Sequence, residues 1–267
     1  MVNTKFLGSE LLHRILKGAK LSTDEIEQVD KAFEKEITER PFRVAIIGQS
    51  GVGKTTTLNS VFGLEKFTSR VAEGTVDVQE DIFDIRDGFK LSVFDMPGLG
   101  YDIDRDEVYK EMYNEVLPMC DVVIYIINGR AKNIGIDCNI LKNIVIPICK
   151  KNNILRNLVL AVNKIDTIGE TIDANDIELR WDRHTNRPSK KLAKAIEERL
   201  QVISHALVRE NIFEQGSISI DNLVFYSAAY NYNLRSFFMA ILNTERGWIW
   251  ATTVGIENIG KWTDNNL

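Results

Sequence analysis

Residues 42–62 read Phe42-Arg43-Val44-Ala45-Ile46-Ile47-Gly48-Gln49-Ser50-Gly51-Val52-Gly53-Lys54-Thr55-Thr56-Thr57-Leu58-Asn59-Ser60-Val61-Phe62. The first six form a short apolar, β-branched run, the pattern of a buried strand. Residues 48–55 match G-x-x-x-x-G-K-[ST] in full, and residues 55–62 have the composition of the first turns of a helix. Strand, glycine-rich turn and helix N-terminus together make a phosphate site. Gly48, Gly51 and Gly53 let the backbone turn its N–H groups inward, and the helix start adds the positive end of its dipole. Lys54 brings a point charge for β- and γ-phosphates, and the Thr55 hydroxyl suits Mg²⁺. The expected phosphate-binding set is Gln49, Ser50, Gly51, Val52, Gly53, Lys54, Thr55 and Thr56.

The hydrophobic period changes at Phe42. Before it, Phe6, Leu7, Leu11, Leu12, Ile15 and Leu16 recur at helical spacing, and Gly18 is placed to end that helix. Ser22 to Glu25 fits a capping box opening a second helix, which Pro41 stops. After the loop and first helix, residues 64–76 read as a polar loop. Val78–Arg86 and Phe89–Phe94 are strand-like and joined by Asp87-Gly88, a tight-hairpin signal. Helices are expected over 104–117, within 136–151 (with Pro147 cutting or kinking its end), over 189–208 and over 234–242. Strands are expected over 121–127, 158–162 and 223–226. Residues 167–189 form a polar insert holding Trp181, His184 and Pro188.

This alternation implies an α/β, three-layer fold: a mostly parallel six-stranded sheet with one antiparallel strand at or near an edge, plus N-terminal helices. The expected division is a helical extension over 1–40, a nucleotide-binding domain over 41–242 and an aromatic tail over 243–267. That tail carries Trp248, Trp250 and Trp262 and is read as packing on the N-terminal helices or meeting a partner.

Composition sets wider bounds. The 267 residues carry a net charge of −5, which argues against strong nonspecific nucleic-acid affinity. No apolar run reaches the length of a membrane-spanning helix, and the first residues lack the layout of a signal peptide. Cys120, Cys138 and Cys149 are widely spaced, a pattern of buried reduced thiols and not of a zinc site or disulfide framework. A cytoplasmic protein is the expectation.

Further chemistry is expected at the carboxyl ends of the strands. Asp95-Met96-Pro97-Gly98 follows the strand Leu91–Phe94. A carboxylate there needs a cation or donors, which Mg²⁺ supplies, and Gly98 lets a backbone N–H approach a γ-phosphate. Asn163-Lys164-Ile165-Asp166 follows another buried strand. The Asp166 carboxylate can accept from both N1–H and the 2-amino group of guanine, a donor pair that adenine lacks. Lys164 can lie along the base, and Asn163 can tie this loop to the phosphate loop. Ser227-Ala228 follows the last strand, where a small residue lets a backbone N–H reach guanine O6. Thr75 is the candidate to close on Mg²⁺ and the γ-phosphate, with Thr68 a poorer one.

These stations in this order resemble the translation-factor-related class of P-loop GTPases over about residues 41–240. Asp95-Met96-Pro97-Gly98-Leu99-Gly100 and Thr57-Leu58-Asn59-Ser60-Val61-Phe62-Gly63 look like its Era-like branch, the small bacterial ribosome-binding-GTPase-like proteins. The resemblance implies GTP and GDP as ligands, Mg²⁺ as cofactor (Thr55, Thr75 and Asp95 as its ligands) and slow hydrolysis of GTP by a nucleotide-dependent switch, with Lys54, Thr75 and Gly98 nearest the chemistry. Many such proteins orient the attacking water with a Gln after the D-x-x-G station; here that residue is Leu99. A nucleotide-gated binding module with negligible hydrolysis is the alternative. Some relatives bind K⁺ through a loop residue whose counterpart is Gly51, which speaks against that route. Gln49 is expected to face a neighbour or a dimer partner. A homodimer across the nucleotide face, an unidentified protein or ribonucleoprotein, and a peripheral membrane contact are the partners left open.

Overall fold

The computed structural model describes residues 22–25, 27–28, 31, 40–62, 78–86, 89–99, 103–213 and 223–244. The expected first helix at 6–17, the loop at 64–76 with Thr68 and Thr75, the Asp87-Gly88 turn and the tail from residue 245 onward lie outside these.

Six strands form one sheet: β1 (Phe42–Gly48), β2 (Gln79–Arg86), β3 (Phe89–Asp95), β4 (Val122–Asn128), β5 (Leu158–Asn163) and β8 (Leu223–Phe225), in the order β2-β3-β1-β4-β5-β8. All neighbours run parallel except β2 and β3. The antiparallel strand is therefore at an edge, with Arg86 opposite Phe89. A two-stranded ribbon, β6 (Trp181–Asp182) with β7 (Arg187–Pro188), stands apart from the sheet.

Helices cover both faces, and the strand period of two assigns the side chains. Ala45 and Ile47 of β1, Val123, Tyr125 and Ile127 of β4, and Leu158, Leu160 and Val162 of β5 point to one core. There they meet α2 (Ile103–Val116), α3 (Gly135–Lys151) and α4 (Lys190–Arg209). Val44, Ile46, Val122, Ile124, Ile126, Val159 and Ala161 point the other way, onto α1 (Lys54–Phe62) and α5 (Leu234–Leu242). Burial on both faces explains why these strands read as unbroken apolar runs. The three cysteines are free and buried, and burial pushes the Cys149 thiol up to about 12.

Local chemistry sets the helix ends. Ser22 N donates to Glu25 at 2.8 Å and Glu25 N donates back to Ser22 Oγ at 3.4 Å, the reciprocal bonds of a capping box. Ser189 Oγ accepts from Leu192 N at 3.0 Å and caps α4. Pro147 does not cut α3. The helix passes through it by a π turn over Leu141–Val145, where Ile146 N donates five residues back to Leu141 O. The wider turn accommodates a ring that has no N–H to give and would crowd the preceding carbonyls.

One buried polar pair ties α1 to the end of β8. Thr57 Oγ1 donates to Gly53 O at 2.8 Å and lies 2.6 Å from Tyr226 Oη. With the threonine proton committed, the tyrosine is the donor between them. Removing that donor forfeits one bond, whereas removing the acceptor strands a buried hydroxyl, which costs more. Urea denaturation should therefore show Tyr226→Phe less stable by about 1 kcal/mol and Thr57→Val by about 2 kcal/mol; the reverse order would overturn this donor assignment.

Candidate functional site

The carboxyl ends of β1, β3, β4, β5 and β8 share one edge of the sheet, and the sequence-derived stations gather there. The phosphate loop leaves β1 at Gly48 and enters α1 at Lys54. Gly53 has φ of 94°, and a Cβ on it would sit 2.5 Å from Asn163 Nδ2, so only glycine fits. A Cβ on Gly98 would come within 2.8 Å of Ser50 N. The Asp95–Gly98 segment thus lies backbone-to-backbone on the phosphate loop. Tyr113 of α2 holds that segment by donating to Pro97 O at 2.9 Å. Thr56 is exposed on the first turn of α1, and Val52 is buried beneath the loop.

Lys54 Nζ donates to Gly48 O and Gln49 O, both at 3.2 Å. Burial lowers its pKa, and the charge on Asp95 opposes that shift. Asp95 responds in the opposite sense: burial raises its pKa against the pull of Lys54, with Asp81 adding to the rise. Asp95 Oδ1 is buried and has no hydrogen-bond partner. A hard cation is the chemistry that satisfies such an oxygen. Mg²⁺ is a cation of this kind, which keeps waters and takes few protein ligands beside phosphate oxygens. Thr55 and Asp95 are the described residues that would hold it.

Asn163 joins three segments. Its Nδ2 donates to Val52 O at 3.0 Å, its Oδ1 accepts from Ala228 N at 3.0 Å, and its carbonyl accepts from Gly129 N at 2.8 Å. The Ala228 N–H is thus given to Asn163. Lys164 takes a left-handed conformation, φ of 64°, and its Nζ reaches Gly51 O at 2.5 Å. Asp166 follows in a short 3₁₀ turn, with Oδ1 buried and unpartnered. Ser227 is buried and exchanges both backbone bonds with Tyr232.

Three features of the site were not anticipated. Asp137, fully buried in the first turn of α3, accepts from Tyr125 Oη at 2.9 Å and lies beside Gln49 of the phosphate loop. Burial raises its pKa despite both neighbours, and its Oδ2 lacks a partner of hydrogen-bond geometry. Gln49 therefore meets a neighbour within the chain. Its sequence signal was an acidic residue inside an apolar helical stripe. Ser60 Oγ donates to Ala228 O at 2.9 Å, for which the sequence offers no signal. Leu99 is buried in the core that contains Tyr113.

Because the folded pKa of Asp95 lies above its unfolded value, the nucleotide-free protein binds the Asp95 proton more tightly than the unfolded chain does. Stability should fall as pH rises from the ordinary carboxylate value through the raised one. Asp95→Asn is expected to raise the melting temperature of the nucleotide-free protein by a few degrees at neutral pH and to flatten that part of the profile. An unchanged or lower melting temperature at neutral pH would contradict the burial cost assigned to Asp95.

Residues 43–164 match the family model described as 50S ribosome-binding GTPase. The tRNA modification GTPase MnmE of Thermotoga petrophila is 24% identical over 216 residues, covering 79% of this chain and 44% of MnmE. This chain thus spans less than half the length of that relative. Era, solved in complex with MgGDPNP and a segment of 16S ribosomal RNA, superposes with a TM-score of 0.50 at 22% identity, over 77% of this chain and 57% of Era. LeoA, a bacterial dynamin GTPase from ETEC, gives 0.51 at 15% identity over 96% of this chain and 46% of LeoA. With the sheet order and the glycine-rich loop described above, these matches show that the chain has the fold of a P-loop GTPase domain, and that residues 43–164 of it are similar to the 50S ribosome-binding GTPase family.

Proposed function

We propose that this protein binds GTP and GDP with Mg²⁺, hydrolyses GTP slowly to GDP and phosphate, and acts as a nucleotide-dependent switch. The observation that supports this most is the Asp166 carboxylate, with Oδ1 buried and unpartnered three residues after Asn163. A desolvated acceptor in that position favours a base that offers two donors, as guanine does. In this reading residues 41–242 are the nucleotide domain. Gln49–Thr56 hold the phosphates, Lys54 meets the charge between β- and γ-phosphates, and Lys164 lies along the base. Ser227 and Ala228 close the base site. Thr55, Asp95 and Thr75 hold Mg²⁺, which supplies charge neutralisation on the phosphate oxygens. Gly98 offers its N–H to the γ-phosphate, and catalysis is positioning plus electrostatics.

Leu99 supports slow turnover. It is buried and apolar, so it cannot orient a water. The same observation favours the second reading, a binding module gated by nucleotide with negligible hydrolysis. The partner would be a protein or a ribonucleoprotein, in keeping with the RNA bound by Era in its solved structure, or a second copy of the chain across the nucleotide face.

Competition of GTP, GDP, ATP and XTP against a fluorescent guanine nucleotide tests the base site. Guanine nucleotides should win over ATP by orders of magnitude, and Asp166→Asn should shift preference toward xanthine, whose 2-oxo group needs a donor. Equal competition by ATP in the wild type would overturn the reading. Single-turnover phosphate release should proceed on the order of 10⁻⁴–10⁻² s⁻¹ without a partner; no release above the uncatalysed rate would leave the binding-module reading in its place.

A further inference from the structure

The insert between Asp166 and α4 is chain-continuous with one half of the base site and packs on the other half. It leaves the Asp166 turn through Thr167 and Ile168, whose N–H groups donate to Lys164 O and Ile165 O. It ends at Ser189, the cap of α4. Between these points the ribbon of β6 and β7 carries Trp181. The Trp181 ring stacks on Tyr230 at 5.2 Å and 24°, and meets Tyr232 edge-on at 4.9 Å and 82°. Both tyrosines belong to the loop after β8 that contains Ser227 and Ala228.

Polar bonds fix the same contact. Trp181 Nε1 donates to Asn186 Oδ1 at 3.3 Å, and Asn186 Nδ2 donates to Tyr230 O at 3.0 Å. The loop is in turn closed on itself: Ser227 and Tyr232 exchange backbone bonds, and Tyr230 N donates to Ser227 Oγ at 3.3 Å. From there Ala228 N reaches Asn163 Oδ1.

The ribbon is itself rigidly built. Asp182 Oδ1 accepts from His184 N at 2.8 Å, and Asp182 Oδ2 accepts from Thr185 Oγ1 at 2.8 Å. Asn186 holds the turn in a left-handed conformation, φ of 52°. At its base, Ser189 Oγ donates to Glu178 O, and Asp176 Oδ1 accepts from Glu178 N. A buttress of this kind transmits position because its own bonds are satisfied.

We infer that this ribbon sets the geometry of the base-recognition loop, with Trp181 as the positioning residue that holds the Ser227–Tyr232 loop against Asn163 and Asp166. The inference rests on the base-site assignment of the proposed function. It predicts a selective effect, because the aromatic contact lies on the base side of the site and no bond given above for the ribbon reaches the phosphate loop.

The experiment compares Trp181→Ala, Trp181→Phe and Asn186→Gly in the full chain. Glycine keeps the left-handed backbone while removing both Asn186 side-chain bonds. The readouts are the affinity and dissociation rate of a fluorescent GDP analogue, and inhibition by inorganic pyrophosphate, which occupies the phosphate loop alone. Trp181→Ala should weaken GDP by about tenfold, the order expected for loss of two aromatic contacts, mainly through faster dissociation. Trp181→Phe should recover most of that loss, Asn186→Gly should lose in the same direction, and pyrophosphate inhibition should stay within about twofold. Unchanged GDP affinity in Trp181→Ala, or GDP and pyrophosphate weakening together, overturns the inference. If Trp181→Ala does not fold, Asn186→Gly decides by the same comparison. Asp166→Asn keeps the two failures apart: absence of its xanthine shift defeats the base-site assignment, whereas its presence with an unresponsive ribbon defeats this inference alone.

Discussion

The arrangement of the site depends on one buried carboxamide. Asn163 donates to Val52 O, accepts from Ala228 N, and through its carbonyl holds Gly129 N. Its side chain thereby binds the phosphate loop and the loop after β8 to the end of β5. A buried amide with its oxygen and one nitrogen hydrogen engaged has little freedom to rotate. The glycine at 53 is a consequence, because any Cβ there would collide with Asn163 Nδ2. Motif residues that are far apart in the chain are thus constrained by the volume around one another.

Around that amide the fold retains charges that a stability argument alone would remove. Lys54 and Asp95 are both pushed toward neutrality by burial, and each opposes the other's shift. Asp95, Asp137 and Asp166 each keep a buried oxygen without a hydrogen-bond partner. Desolvated carboxylate oxygens are costly in an otherwise well-packed domain. Their concentration at the carboxyl edge of the sheet fits a site organised for ligands at the expense of some stability. Asp137 extends this behind the phosphate loop, through Tyr125 on β4 and Gln49.

The framework outside the site is conventional packing put to positional use. Two cores, one per sheet face, fix the strand ends to which the loops are attached. Side-chain tethers then aim the loops: Tyr113 to Pro97, Ser60 to Ala228, and Tyr226 to Thr57. The π turn before Pro147 keeps α3 continuous from Gly135, beside Asp137, to Lys151, so the helix that carries Asp137 is not interrupted.

Much of this was legible in the sequence, because its signals are local. Apolar runs such as Val122–Ile127, the glycine-rich loop before Lys54 and the Ser22–Glu25 cap act within a few residues of themselves. They place strands and helices to within one or two residues. The sheet class followed from their alternation and the edge hairpin from Asp87-Gly88. The placement of Asp95, Asn163 and Asp166 at the carboxyl ends of buried strands could be read from the apolar runs that precede them. Tertiary structure alone decided which polar atoms find partners. The Ala228 N–H goes to Asn163, Asp137 lies beside Gln49, Pro147 is absorbed by a π turn, and a polar-looking insert becomes a ribbon whose Trp181 stacks on Tyr230 and meets Tyr232 edge-on. Each of these is a contact between segments many residues apart or an adjustment to crowding. No local propensity encodes them, because they depend on the space left when the two cores close on the sheet.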